Sequence, residues 1–589
     1  MPYRTARMKE KIMETEKLPH WSLEEIYTSP EGKDFQAAID DCKLRCKEVE
    51  KNIENKESLV EVIKLYESIL DTYETLNAYS YAILSVDTSN PICLKATNKV
   101  SELSLSVSGA EVMFLNYLGE NTESVEKMSE PGGEFEKYSY VLSELLEKNK
   151  HLMSSEKEKL ASDLNRSGIE AFSRLQEALA STATVEHDGK MKTVTDFRAL
   201  AFSSSRKIRK EAFDKELEVL SNNKVAYAAA LNGVKGATIT LNKNRGYDNL
   251  EASLIESRID REVLDALIGT IEKNLPMFRS YLKKKAEILN VDKLAFYDIL
   301  APINDDPKHY SYLDAKEFIL NQFGGFSSEM KEFALNAFNK SWIDAEPRSG
   351  KIGGAYDTAF PDAGVSRVMC NFDGTYNGVS TIAHELGHAF HDSVVMPYSH
   401  LLRSYPMTLA ETASIFSETV VLQGALKEAE AKEKTFLIET FLQDTTQVCV
   451  DILCRFYFER EIFDRRAESE LTPDDFNDIM VECQKKTYGE LSEYHPLMWA
   501  VKGHYYIPDF SFYNYPYAFG QLFALGVYSQ KDKMGKDFPQ KYIELLSLTG
   551  SNSARDVAAT IGCDISSSSF WQSALDNVKA YIEDFINAN

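Results

Sequence analysis

His384 and His388 stand four residues apart with Glu385 beside the first of them, in the run Ser380-Thr381-Ile382-Ala383-His384-Glu385-Leu386-Gly387-His388-Ala389-Phe390-His391. On a helix, residues at that spacing stack on one face about a turn apart, so both imidazoles can reach one divalent ion. Glu385 is turned about 100° around the axis. It can therefore face a water on the ion without itself being a ligand. The chemistry is hydrolysis: zinc polarises a carbonyl and acidifies a water, and Glu385 takes the proton and passes it to a leaving amine. The bland alternative is a surface helix with two solvated histidines. The apolar neighbours argue against it, because they imply burial. Gly387 and Ala389 keep the adjacent surface small, which suits tight packing.

A third ligand is required, since zinc sites use at least three protein donors. His391 lies on the same face, but one helix does not readily aim three side chains at one ion, and it reads as a packing residue or as a support behind a ligand. Position 394, where a longer histidine motif would place its third ligand, is Val394. The next helical segment, 408–422 (TLAETASIFSETVVL), carries Glu411 and Glu418 seven apart among apolar and small residues. Buried carboxylates need a partner, and a dication is a strong one. Glu411 is assigned as the third ligand. Glu418 is assigned as an acceptor that steadies a ligating histidine from behind, and Asp373 and Asp392 are weaker candidates for that supporting role. One zinc per chain is expected, in a donor set that also accepts cobalt or manganese.

These residues need a frame. Asn377, Ser380 and Thr381 are candidate caps for a helix over about 380–395, stopped before Pro397. The preceding 346–376 is rich in glycine, and short strands at about 353–359 and 366–372 with a turn near Pro361-Asp362 fit its pattern. From about Leu23 to Ala180 the chain reads as helix, as in 59–85, broken at Asn90-Pro91 and at Pro131-Gly132-Gly133. Residues 182–194 read as a hairpin about Asp188-Gly189, and helical pattern then runs from about 195 to 341. The fold class is mainly α with a small β-sheet beside the metal-site helix. The most natural boundary lies near 200, giving an N-terminal helical domain (1–200) and a catalytic domain (201–589).

Composition bounds the partners. A chain of 589 residues with 43% hydrophobic residues builds more than one core. The net charge of −25 repels nucleic acid and anionic membranes, so neither is expected as a partner. The eight cysteines show no metal or redox spacing and read as idle thiols of a reducing compartment. The start of the chain is charged and lacks an apolar signal core, and there is no 18-residue apolar run. A cytoplasmic location is expected.

HELGHAFH followed by AETASIFSE resembles the oligoendopeptidase F branch of the thimet oligopeptidase family. The preceding RSGKIGGAYDTAFPDAGVSRVMCNFDGTYNGVSTIAHELGH is similar to that family's strand–loop–helix run, as are GHYYIPDFSFYNYPYAFGQLFALGVY and LLSLTGSNSARDVAATIGCDISSSSFWQSAL nearer the C-terminus. The resemblance implies a helical, clam-like or ellipsoidal metallopeptidase with a deep substrate channel, acting on short unfolded oligopeptides. His384, His388 and Glu411 match its ligands and Glu385 its general base. His504 stands where a substrate-binding histidine is expected. Tyr513, Tyr515 and Tyr517 compete to donate to the oxyanion, with Tyr517 favoured and Tyr513 second, although His504 and Tyr517 are one residue further apart than in the thimet-type pattern. Tyr515 then falls to substrate binding, together with a strand edge at Gly353, Gly354 and Ala355 that could pair with peptide backbone. The resulting expectation is a zinc-dependent endopeptidase, its water activated by Glu385. The alternatives are a peptidyl-dipeptidase or carboxypeptidase on the same zinc site, and an inactive peptide-binding protein, which the presence of Glu385 disfavours.

Overall fold

The computed structural model describes residues 17–304 and 308–588, so the charged start of the chain lies largely outside the described residues. Backbone contacts group the chain into two discontinuous units. One comprises Met1–Lys150, Lys308–Glu428 and Gln530–Gly562, and the other His151–Pro307, Ala429–Ser529 and Cys563–Asn589. These groupings do not follow a boundary at 200. Segments distant in sequence bury their apolar faces against one another, which no local change of composition marks.

In the first unit, helices Lys33–Glu54, α1 (Leu59–Ser85) and Pro91–Glu120 pack together. Their core includes Phe35, Ile39, Leu76, Tyr79 and Leu103, and Phe360 from much later in the chain joins it. Ser58 caps α1 by accepting from the Glu61 N–H, and Asn90, read from the sequence only as a break, caps the third helix with Pro91 at its first position, residue types that those positions favour. A three-stranded sheet follows: β1 (Ile343–Asp344), β2 (Tyr356–Phe360) and β3 (Val365–Met369). β3 is central, parallel to β1 and antiparallel to β2, with Tyr356 opposite Met369 and Phe360 opposite Val365. The β2–β3 turn is a short 3₁₀ segment at Pro361–Ala363 ended by Gly364, whose φ of 65° needs the missing side chain.

Against this sheet lies α2 (Tyr376–Val395), which packs on α3 (Met407–Glu428). α2 begins four residues before the expected start. Asp373 Oδ1 accepts from the Thr375 N–H and hydroxyl, at 3.0 and 2.6 Å. That turn holds Thr375 extended, and its hydroxyl oxygen accepts from the Gly378 N–H. Thr375 is therefore the cap, and Asn377, Ser380 and Thr381 lie inside the helix.

The second unit is helical apart from a hairpin, Thr184–His187 with Lys190–Thr193. Asp188 and Gly189 at its turn have φ of 52° and 72°, the left-handed pair that this two-residue connection requires. Helix Arg261–Ile288 packs along helix Ser568–Ala588. Two buried ammonium groups in this unit are matched by carboxylates, Lys285 by Glu439 at 2.7 Å and Lys235 by Glu459 at 2.6 Å. Among the described residues, no helix is long and apolar enough to cross a membrane.

Candidate metal centre

α2 and α3 bring the donors together. His384 Nε2 and His388 Nε2 are 3.2 Å apart, and Glu411 Oε2 lies 3.4 Å from the first and 3.5 Å from the second. Three donors about 2.05 Å from a tetrahedral ion are separated by about 3.3 Å. The triangle therefore fits zinc in size and in donor chemistry. Glu385 completes a group with the two histidines in which one donor atom from each lies within 4.8 Å of the others. Behind the ligands, His384 Nδ1 lies 3.1 Å from Glu418 Oε1. That contact assigns the Nδ1 proton to the bond with Glu418 and leaves Nε2 free to ligate.

The electrostatics suit a dication. Burial opposes ionisation of Glu411, but the hydrogen bond and charge of His388, with His384 and Ser414, hold its pKa down at about 2. Burial also opposes charge on His384, but Glu418 outweighs it and pushes the imidazole up to about 10. Glu385 is 6% exposed, and burial raises its pKa above the ordinary carboxylate range while the two histidines pull it back.

Gly387 makes the donor triangle possible. A Cβ there would meet Ala413 O at 2.5 Å, Ser417 Oγ at 2.6 Å and Ser414 Cα at 2.7 Å. Two of these atoms are backbone, so α2 and α3 would have to separate. Gly387→Ala is expected to cost about 1–3 kcal/mol of stability despite the better helix propensity of alanine. It should also weaken zinc binding, because Glu411 moves with α3. Thermal unfolding and a zinc titration of the variant check both effects.

Some expected residues lie elsewhere. Asp373 is exposed and committed to the turn before α2, so it does not support a ligand. Gly353 and Gly354 form a bend, with φ of 81° at Gly354, and Asn371 Nδ2 donates to the Gly354 carbonyl. The outer strand begins after Ala355, at Tyr356. Tyr515 is fully buried. Ser253 Oγ donates to its hydroxyl, which lies 2.9 Å from Ser257 Oγ, so it braces its helix and is not offered to a peptide. His391 is buried and stacks on Tyr405, and its Nε2–H donates to Thr549 Oγ1 at 2.7 Å. Burial pushes its pKa down to about 3, so it packs as a neutral ring.

In the second unit, His504, Tyr513 and Tyr517 form one aromatic cluster, with ring centroids 4.7 to 6.0 Å apart. His504 Nδ1–H donates to Asn514 Oδ1 at 2.9 Å, and Arg455 donates to the same oxygen. Burial lowers the His504 pKa, leaving a neutral ring with Nε2 as an acceptor.

The metal-site cavity has a volume of about 570 Å³, and β2 forms one wall. Asp357 of β2 reaches it and was not singled out from the sequence; the available signal was a lone carboxylate within a short strand. Burial and the neighbouring Asp392 and Glu385 push the Asp357 carboxyl well above the ordinary carboxylate range. Asp392 accepts from the Tyr405 hydroxyl at 2.7 Å. A further group, Asp71, Glu74 and His400, already holds a cation: the Arg403 guanidinium lies 2.6 Å from Asp71 and 2.8 Å from Glu74.

A helical unit whose paired helices present two histidines, an adjacent glutamate and a facing glutamate to a strand-walled cavity has the site of a metallopeptidase. The pattern described as Peptidase family M3 matches residues 199–577, and that described as Oligopeptidase F matches 121–183. The chain belongs to peptidase family M3, a family of metallo-endopeptidases. It is 25% identical to Oligopeptidase PepF of Bacillus subtilis over 93% of this chain and 84% of that protein. It is 26% identical to an oligoendopeptidase F homolog of Lactococcus lactis over 95% and 96%. Its fold matches a protein of Chlamydophila abortus with a TM-score of 0.83 at 22% identity, over 97% and 98% of the two chains. It also matches oligoendopeptidase-F from Enterococcus faecium with a TM-score of 0.68 at 18% identity, over 94% and 99%.

Proposed function

We propose that this peptidase is a zinc-dependent endopeptidase that hydrolyses internal bonds of short unfolded oligopeptides. The donor triangle of His384, His388 and Glu411 carries the zinc reading. Zinc, when bound, would supply a Lewis acid that polarises the scissile carbonyl and acidifies water. Glu385, buried beside the histidines, accepts the proton from the attacking water and returns it to the leaving amine. Its raised pKa suits that return. Glu418 fixes the tautomer and orientation of His384. β2, an outer strand of its sheet, offers backbone groups to an extended peptide, and Gly353, Gly354 and Ala355 lead into it. Neutral His504 offers Nε2 to a peptide N–H, and Tyr517 or Tyr513 donates to the oxyanion. In this reading residues 201–589 carry the catalytic side chains and 1–200 a supporting wall.

Internal cleavage is favoured over removal of C-terminal dipeptides by the state of Arg403. It is the one lysine or arginine among the described residues lining the metal-site cavity, and Asp71 and Glu74 neutralise it. A terminal carboxylate would find no unpaired cation there. We place the enzyme in the cytoplasm, a reading supported by eight free thiols, seven of them buried.

A peptide-library digest read by mass spectrometry, with and without a chelator, tests the whole reading. Chelator-sensitive cuts inside end-blocked peptides are expected. Cuts confined to unblocked C-termini would replace it with the dipeptidase reading, and chelator-resistant cutting would remove the metal. Tyr517→Phe is expected to lower kcat about 100- to 1,000-fold with KM nearly unchanged. If Tyr513→Phe shows that loss instead, the donor is Tyr513.

A further inference from the structure

The second unit contains a cavity of its own, about 520 Å³ in volume, within the range that holds small-molecule ligands. Phe197, Phe202, Phe213, Phe296, Ile299 and Met498 supply much of its wall. Charged groups also reach it, and nearly all are matched. Arg198 donates to Glu216 at 2.8 Å. Arg209 donates to Asp298 at 2.9 Å, and Asp298 also receives Arg206. Asp451 accepts from Arg455 and from the Tyr488 hydroxyl. Lys502 is the exception: it lines the cavity, and its side-chain ammonium has no hydrogen bond or ion pair among the described residues.

We propose that this cavity is a binding site for a small apolar monocarboxylate, whose carboxylate pairs with Lys502 and whose apolar body lies on the phenylalanine-rich wall. The charge inventory selects the ligand. Each wall anion already holds a cation, so a cationic ligand would be buried without a partner. A dianion would bring one charge too many into an apolar enclosure. A single carboxylate matches the single unmatched ammonium. Burial and the nearby Arg455 push the Lys502 pKa down to about 7. The cavity thus holds the amine's positive charge weakly, and an arriving carboxylate strengthens it. Medium-chain fatty acids and acylated apolar amino acids, the latter equivalent to the C-terminal residue of a peptide, share this chemistry.

Isothermal titration of the full chain at pH 6.5 tests the assignment. Octanoate and octan-1-ol share an apolar body and differ in charge, and N-acetylphenylalanine and its amide form the corresponding pair for a peptide terminus. At least one carboxylate is expected to bind about 10- to 100-fold more tightly than its neutral counterpart. Which carboxylate does so identifies the source. Lys502→Met should erase that preference and Lys502→Arg should retain it. Ala199→Phe, at an exposed position on the cavity wall, should weaken binding without touching the charge, and serves if Lys502→Met does not fold. Equal affinity for both members of both pairs overturns the proposal, as does undiminished carboxylate binding in folded Lys502→Met or in Ala199→Phe.

Discussion

Glu385→Gln is expected to keep its zinc and lose about 100- to 10,000-fold in kcat, the range ascribed to a positioned general base. The amide preserves size, and Glu385 is outside the donor triangle, so metal content should stay near one per chain. The loss should fall on kcat more than on KM, because the proton moves only as the reaction proceeds. The same residue sets the acid side of the pH profile. Burial raises its pKa, with the histidines opposing. A base must be ionised to act, so activity is present above that pKa and lost as pH falls through it. In the wild type this loss should begin above the ordinary carboxylate range. Steady-state kinetics with metal analysis on the same preparation check both statements. Full activity in the variant would remove Glu385 from the reaction.

Glu411→Ala is expected to weaken zinc binding about 100- to 1,000-fold, the share of one donor in a site of several. Glu418→Gln should cost less, about 10- to 100-fold, because it acts through His384. That order separates a ligand from its support, and competition with a chromogenic chelator measures it. Metal binding should also depend on pH. In the metal-free chain Glu411 stays ionised down to about 2, whereas Glu418 holds a proton on His384 up to about 10. Zinc must displace the proton on Nε2, while the Nδ1 proton stays in the bond to Glu418, so its apparent affinity should fall as pH drops below 10, with a proton released on binding. Because zinc binds the folded site, its removal should lower Tm. At a free concentration of 1,000 times Kd it contributes about 4 kcal/mol. Unchanged zinc content in purified Glu411→Ala would assign the third donor elsewhere.

Local patterns in the chain determined much of this. The spacing of His384 and His388 already put two imidazoles on one helical face. α1 spans the stretch that its apolar periodicity marks, and Asp188-Gly189 marks the hairpin turn, because these features depend on residues within a few positions of one another. Glu411 was legible for a related reason: a carboxylate in an apolar helical stretch needs a partner wherever that helix packs.

Tertiary structure decided the rest. Asp373 looked like a support for the metal and instead fixes Thr375 as the cap of α2. Tyr515 looked available to substrate and is buried, because its helix meets Ser253 and Ser257 from residues some 260 positions earlier. The Asp357 carboxyl is pushed up by burial and by Asp392, a neighbour that β2 meets only when it packs on α2. The Lys502 ammonium lacks a partner among the described residues because Arg198 pairs with Glu216 and Arg455 with Asp451 around it. Spacing along a helix is set by backbone geometry and can be read from one segment. Burial, pairing and protonation are sums over neighbours from several segments, and only the packed chain says which neighbours those are.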